Sequence, residues 1–181
     1  MIKKLIILTV VILLVGGLTA GCVQLGAQPK GWSGGVVADG NLFLGSMEGK
    51  VIALNASTGN QSWSYTLETT ASGGGFGCAP TSTVVAIYGT PVVSGDLVYV
   101  GGYNGKIYAL SSGSGALRWV YPREGNLQPI VGGPVVAQGR VYFGAADGKL
   151  YALDADTGDK AWGFETGDKI WSPPAIYDDT L

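Results

Sequence analysis

The apolar positions of this chain come in short runs, separated by pairs of turn-forming residues. In "YGTPVVSGDLVYVGGYNGKIYALSSGSGALRWVYP", residues 88–122, the runs predict four strands at about Thr90–Ser94, Leu97–Gly101, Lys106–Ser111 and Ala116–Pro122. Turns fall at Gly95-Asp96, Asn104-Gly105 and Gly113–Gly115, where the positive φ of tight hairpins suits glycine and asparagine. Within the third run Ile107 and Ala109 alternate with Tyr108 and Leu110, so both faces of the sheet are apolar. Such a sheet has to be covered on both sides.

The same pattern returns along the chain. "EGKVIALNASTGNQSW" (48–63), "NGKIYALSSGSGALRW" (104–119) and "DGKLYALDADTGDKAW" (147–162) share Gly-Lys, Ala-Leu, a later glycine and a closing tryptophan. Gly49 to Trp63, Gly105 to Trp119 and Gly148 to Trp162 are each 14 residues apart. The units are also preceded alike, by "VADGNLFLG", "VSGDLVYVG" and "VAQGRVYFG". An insertion around Ser72–Val85 lengthens the first interval. Self-similarity at this period marks a repeat architecture, and a four-stranded meander covered on both faces by its neighbours is a propeller blade. A fourth unit starts at "WSPPAIYDDTL", Trp171 to Leu181. The expected fold class is therefore all-β: a partial β-propeller of about three and a half four-stranded blades, read as part of a longer ring.

Composition narrows the chemistry. With 31 glycines and 13% charged residues the chain suits many tight turns, and it has no histidine, which removes the commonest general base and metal ligand. The net charge is −2 and no basic cluster follows the first four residues, against nucleic acid as a partner. The carboxylates of "DADTGD" suggest a calcium loop at Asp154–Glu165. Its glycine is one place early, however, and Asn55, Ser57 and Asn60 or Ser111, Gly113 and Ala116 stand in the sibling units. "GGYNGKI" lacks the spacing and the Ser/Thr of a phosphate loop. The Asn55 and Asn60 triplets fit glycosylation in form and carry little meaning here. All of these motifs are turns first, and no metal or cofactor is expected.

The N-terminus belongs to a different order. "MIKK", the apolar "LIILTVVILLV" and "LTAGC" make residues 1–21 a secretion signal. Leu18, Thr19, Ala20, Gly21 and Cys22 resemble the bacterial lipobox. The resemblance implies cleavage before Cys22, lipid attachment to its thiol, and a membrane anchor on an exported protein. Residues 22–31 then form the lipidated Cys and tether, and 32–181 the repeats. Cys78 is left without a cysteine partner and reads as a small buried apolar residue.

The units "VYVGGYNGKIYALSSGSGALRW" and "VYFGAADGKLYALDADTGDKAW" resemble the pyrroloquinoline-quinone-type (PQQ-like) β-propeller repeat. Its pattern of Ala, Gly three on and Trp four further is met by Ala56-Gly59-Trp63 and Ala155-Gly158-Trp162, with Ser112-Gly115-Trp119 between them. The resemblance implies that Trp63, Trp119 and Trp162 dock between adjacent blades. One further series stands out. Three residues before Pro91, Pro134 and Pro174 stand Tyr88, Val131 and Trp171, and Trp32 holds the same place in the first unit. This mostly aromatic series lies near one rim of the central channel. It reads as rim packing or as an aromatic lip for a partner, since exposed Trp and Tyr serve as binding anchors.

Two functions follow as expectations. A lipid-anchored propeller of this kind is similar to the propeller lipoproteins of the outer-membrane β-barrel assembly machinery. That likeness implies a non-catalytic scaffold on the periplasmic or extracellular face of a membrane, with envelope proteins or peptides as partners. The alternative is a fragment of a quinoprotein dehydrogenase, for which the resemblance implies a cysteine pair and acidic calcium ligands that these units do not display. Lipidation is directly testable. Mass spectrometry of membrane fractions should find the mature N-terminus at an acylated Cys22, and Cys22→Ser should abolish both processing and tethering.

Overall fold

The computed structural model describes residues 33–72, 81–83, 85–178 and 180. Cys22, Trp32 and Cys78 lie outside the described residues. Three antiparallel four-stranded sheets follow one another along the chain. The first holds β1 (Gly35–Ala38), β2 (Asn41–Gly45), β3 (Lys50–Asn55) and β4 (Gln61–Thr66). After a small two-stranded ribbon, β5 (Thr70–Ser72) with β6 (Thr81–Thr83), comes the second sheet. It holds β7 (Val92–Ser94), β8 (Leu97–Gly101), β9 (Ile107–Ser111) and β10 (Leu117–Tyr121). The third holds β11 (Val135–Ala137), β12 (Arg140–Gly144), β13 (Lys149–Asp154) and β14 (Lys160–Glu165). The innermost strands β1, β7 and β11 are neighbours in space, so the sheets fan outward from a common line. This is a partial β-propeller, and its three sheets do not close into a ring. The first strand of the second blade begins at Val92, two residues later than the apolar run suggests, because Pro91 has no N–H to give to a ladder.

The middle blade shows why both strand faces are apolar. Leu97, Tyr99, Ile107 and Ala109 pack toward the third blade, against Val141, Phe143, Tyr151 and Leu153. Val98, Val100, Tyr108 and Leu110, the alternate positions, pack toward the first blade with Phe43, Val51 and Ala53. The two-residue period of a strand thus builds two cores from one sheet.

Each of these interfaces is locked by one tryptophan. The Trp63 Nε1–H donates to the carbonyl of Ser112 at 2.8 Å, and Trp119 donates in the same way to Ala155 at 2.8 Å. Each indole lies flat on a glycine of the following blade. A Cβ on Gly115 would come within 2.6 Å of Trp63, and one on Gly158 within 2.6 Å of Trp119. Both glycines also hold a φ of +72°. Within its own blade each ring tilts against an aromatic of strand two. The pairs Phe43–Trp63, Tyr99–Trp119 and Tyr142–Trp162 are each 5.8 Å apart. Trp162, on the outer strand of the third blade, is 38% exposed.

The acidic stretch that opened the calcium question is a turn. The Asp154 carboxylate accepts the N–H groups of Asp156 and Thr157 at 3.0 and 2.9 Å, and Asn55 does the same for Ser57 and Thr58 at 3.1 and 2.9 Å. These backbone hydrogen bonds, that from Thr157 foremost, hold the Asp154 carboxyl below the usual range.

Trp119 is 7% exposed and fills the second interface, so Trp119→Ala is expected to cost about 3–5 kcal/mol. Gly158→Ala should destabilise through the same contact. Thermal or urea unfolding of both variants checks this, and an unchanged midpoint for Trp119→Ala would remove the indole from the interface.

Candidate aromatic rim and its cleft

Three linking segments carry the rim, and one residue type positions each. Ile87, Ile130 and Ile170 sit over Gly45, Gly101 and Gly144, the last residues of strand two in successive blades, where any side chain would collide with them. Each isoleucine N–H is tied to the loop that follows that glycine: Ile87 to Ser46 O at 3.2 Å, Ile130 to Gly102 O at 3.3 Å and Ile170 to Ala145 O at 3.2 Å. The next residue is the rim position itself, Tyr88, Val131 or Trp171. Beyond it the backbones of adjacent segments touch. A Cβ on Gly89 would lie 2.6 Å from Gly133 N, and one on Gly132 would lie 2.6 Å from the Ser172 backbone. Only glycine allows this approach, which brings successive rim side chains close together around the channel mouth.

Tyr88 stands against Tyr103, with ring centroids 5.4 Å apart and planes inclined at 59°. Burial, and then the neighbouring Tyr103, raise the Tyr88 hydroxyl above its ordinary range. Tyr103 is 46% exposed and Trp171 63% exposed. Between them lies a cleft of about 400 Å³, lined by Tyr88, Tyr103, Pro129, Val131, Ala146 and Trp171, with Gln128 and Lys169 at its edge. A polar recess of about 300 Å³ adjoins it at Ala146 and Lys169 and contains Asp147, Lys149, Glu165 and Asp168. A third hollow, of about 490 Å³, runs along the Gly-Thr-Pro and Gly-Gly-Pro segments of the channel mouth. The structure thus brings Tyr88, Val131 and Trp171 to one rim. Sequence reasoning missed Tyr103, Gln128 and Lys169; the recurring Ile-X-Gly/Ser-X-Pro of "IYGTP", "IVGGP" and "IWSPP" was the available signal for where the linking segments dock.

The turn that carries Tyr103 is held by a polar cluster. The Asn104 amide donates to Glu68 O at 2.9 Å and to the Tyr108 hydroxyl at 2.7 Å. The Lys106 ammonium pairs with the Glu68 carboxylate at 2.7 Å while its side chain is only 11% exposed. The first blade's exit is thereby fastened to the second blade's turn. In the third blade Asp147 takes the place of Asn104 and accepts the Tyr151 hydroxyl at 2.7 Å. Burial raises the Tyr151 hydroxyl, and the Asp147 carboxylate beside it raises it further. Among the described residues no three Cys, Asp or Glu side chains gather as a metal site.

Outward-fanning four-stranded sheets, each locked to the next by a tryptophan on a glycine, define a β-propeller repeat protein. The family model described as outer membrane protein assembly factor BamB matches residues 18–81 and 79–174. The chain belongs to this PQQ-like propeller family. No curated protein sequence matches it. Among solved structures, BamB from Moraxella catarrhalis is 29% identical, with a TM-score of 0.56 over 74% of this chain and 36% of that one. The quinohemoprotein alcohol dehydrogenase of Comamonas testosteroni is 25% identical, with a TM-score of 0.52 over 76% of this chain and 21% of the enzyme. A europium-containing methanol dehydrogenase, 19% identical with a TM-score of 0.58 over 76% of this chain and 25% of the enzyme, shares the fold. The chain thus spans little more than a third of the BamB structure and less of either enzyme.

The buried tyrosines give a pH test. Burial pushes Tyr108 up to about 12, against the opposing Asn104 hydrogen bond, and burial with the nearby Asp156 pushes Tyr99 up to about 12. An acid whose folded pKa is raised stabilises the fold fully below the unfolded value of 10.0 and loses that contribution as pH climbs toward 12. Tyrosinate absorbance should therefore show a group of tyrosines that ionise only near pH 12, together with unfolding. Simultaneous titration of all nine near pH 10 would contradict the buried placement.

Proposed function

We propose that this chain is an exported, lipid-anchored propeller module that binds envelope proteins or peptides on its aromatic rim and performs no redox chemistry. Cys22 supplies the anchor, and Trp32, Tyr88 and Trp171 belong to the binding rim. The observation that carries the reading is Tyr103, 46% exposed beside Tyr88 at a cleft of about 400 Å³ that Trp171 also lines. Aromatic side chains left open to solvent beside a concave apolar surface are what partner anchoring uses. Membership of a family described as an outer membrane protein assembly factor supports a place beside the assembly of outer-membrane proteins. On that reading the blades are the rigid scaffold and the rim is the contact surface.

The likeness to quinohemoprotein and methanol dehydrogenases favours a second reading, a fragment of a quinone-dependent enzyme. Pyrroloquinoline quinone, when bound, would supply two-electron oxidation, and the family resemblance implies acidic ligands for a metal ion beside it. The donor set of the described residues does not fit that group. No acidic cluster forms, and the channel mouth is lined by Gly89, Thr90, Pro91, Gly132, Gly133 and Pro134, whose side chains offer little to hold a metal.

Photoreactive residues placed at Trp32 and Tyr103 in the native envelope should capture envelope proteins, and Trp171→Ala should reduce that capture severalfold. Dye-linked alcohol or sugar oxidation with added pyrroloquinoline quinone and calcium should stay at background. Cofactor-dependent turnover would overturn the scaffold reading in favour of the enzyme.

A further inference from the structure

The insertion that lengthens the first interval enters a linking segment at one point. Leu67 N–H donates to Gly49 O at 2.8 Å, as Leu127 N–H donates to Gly105 O at 3.0 Å one blade later, so the two leucines hold the same place. Ile87 and Ile130 match likewise, through their bonds to Ser46 O and Gly102 O. Between these anchors the second segment has only Gln128 and Pro129, where the first has Glu68, residues 69–85 and Ala86. The ribbon of β5 and β6 therefore stands on two feet, Glu68 and Ala86.

Both feet are held by the turn of the second blade that carries Tyr103. Tyr103 N–H donates to Ala86 O at 2.9 Å, and the third blade repeats this bond, from Ala146 N–H to Pro129 O at 3.0 Å. The other foot is held by side chains. The Asn104 amide spans Glu68 O and the Tyr108 hydroxyl, its oxygen takes the Lys106 N–H at 3.2 Å, and the Lys106 ammonium closes on the Glu68 carboxylate. Asn104 is 7% exposed, and leaving a hydrogen bond unmade at such a place is costly. In the third blade, whose incoming segment has no insertion, the same place is Asp147. An ionised carboxylate has no hydrogen to donate, and this one takes the Tyr151 hydroxyl and the Lys149 N–H, groups of its own blade. The reach across the blade boundary thus depends on the amide hydrogens of one residue, and it occurs where the insertion does.

We propose that Asn104 is a positioning residue of the rim: by holding Glu68 it couples the inserted ribbon to the turn of Tyr103, and so to the ring pair of Tyr103 and Tyr88. The path is short. Tyr103 directly precedes Asn104, its N–H fixes Ala86 two residues before Tyr88, and its ring meets the Tyr88 ring at 5.4 Å. The inference rests on the rim reading above for the importance of those rings, whereas the coupling itself requires no partner.

Asn104→Asp is the variant that tests this, because it gives the second blade the acceptor that the third blade already has and removes the donor to Glu68. With the full chain in detergent, hydrogen exchange of the β5 and β6 amides should quicken about tenfold, the worth of one lost hydrogen bond. The fluorine resonance of 3-fluorotyrosine placed at Tyr88 should shift in the same variant. The amides of β12 and β13 should exchange as before, and the reverse change in the third blade, Asp147→Asn, should leave both signals where they are. Lys106→Met releases Glu68 from the other side and should reproduce the faster ribbon exchange; it serves as the second variant should Asn104→Asp fail to fold. Unchanged exchange in the ribbon, an unmoved Tyr88 signal, or acceleration spread evenly over all three blades would overturn the proposal. If both signals move while the native chain gives no rim crosslinks, the coupling stands and the rim reading fails. If crosslinks form and neither signal moves, this inference alone fails.

Discussion

The structure depends on a single coupling, an indole laid on a glycine across a blade boundary with its N–H on a nearby carbonyl. A four-stranded sheet with two apolar faces is not stable alone, because one face must always find cover. The coupling provides the cover in a fixed orientation. The ring needs a flat bare backbone, which only glycine offers, and the indole N–H needs an acceptor a few residues earlier, which the Ser112 and Ala155 carbonyls provide. Since the acceptor, the glycine and the next tryptophan sit on one hairpin, the second blade receives the indole of the first and presents its own to the third. This reciprocity makes the 14-residue Gly-to-Trp spacing a structural constant while most other positions vary.

The rim is a consequence of the same geometry. Once adjacent blades are locked, the linking segments have little freedom. An isoleucine plugs onto the glycine that ends strand two, and the next residue is delivered to the channel mouth. Backbone contacts at Gly89, Gly132 and Gly133 then set how far apart successive rim side chains stand. The scaffold fixes where Tyr88, Val131 and Trp171 are, and leaves open what they are. Variation there changes surface chemistry while the cores, to which Ile87 and Ile130 belong, stay as they are. That separation is the physical reason a propeller can carry unrelated activities on one frame.

Much of the fold was legible in the sequence because strands, turns and the tryptophan interval are all local signals. The strands of the second blade lie within two residues of the apolar runs, and the turn reading of Asp154 holds because its carboxylate caps backbone N–H groups as Asn55 does. The partners of the rim were less legible. Tyr103 meets Tyr88 only because a linking segment and a strand turn 15 residues apart converge, and no periodicity records that convergence. The Asn104–Glu68 link has the same character, since it joins residues of two blades and involves a carbonyl that no sequence pattern marks.

The fold is shared by an assembly factor and by quinohemoprotein and methanol dehydrogenases, so blade architecture cannot decide between them, and the decision falls on positions the architecture does not fix. A quinone and a calcium ion require several anionic or sulfur donors converging on the channel axis. Here the described segments at the channel mouth are Gly-Thr-Pro and Gly-Gly-Pro, whose glycines permit close backbone packing and which carry no carboxylate. Among the described residues, Asp154 caps a turn, Glu68 pairs with Lys106 and Glu165 pairs with Lys149, all at blade margins. Exposed aromatic faces, those of Tyr103 and Trp171, lie at the rim. Groups of that kind can hold a side chain. On the scaffold reading proposed above, adhesion would use the rim and leave the blade interfaces untouched.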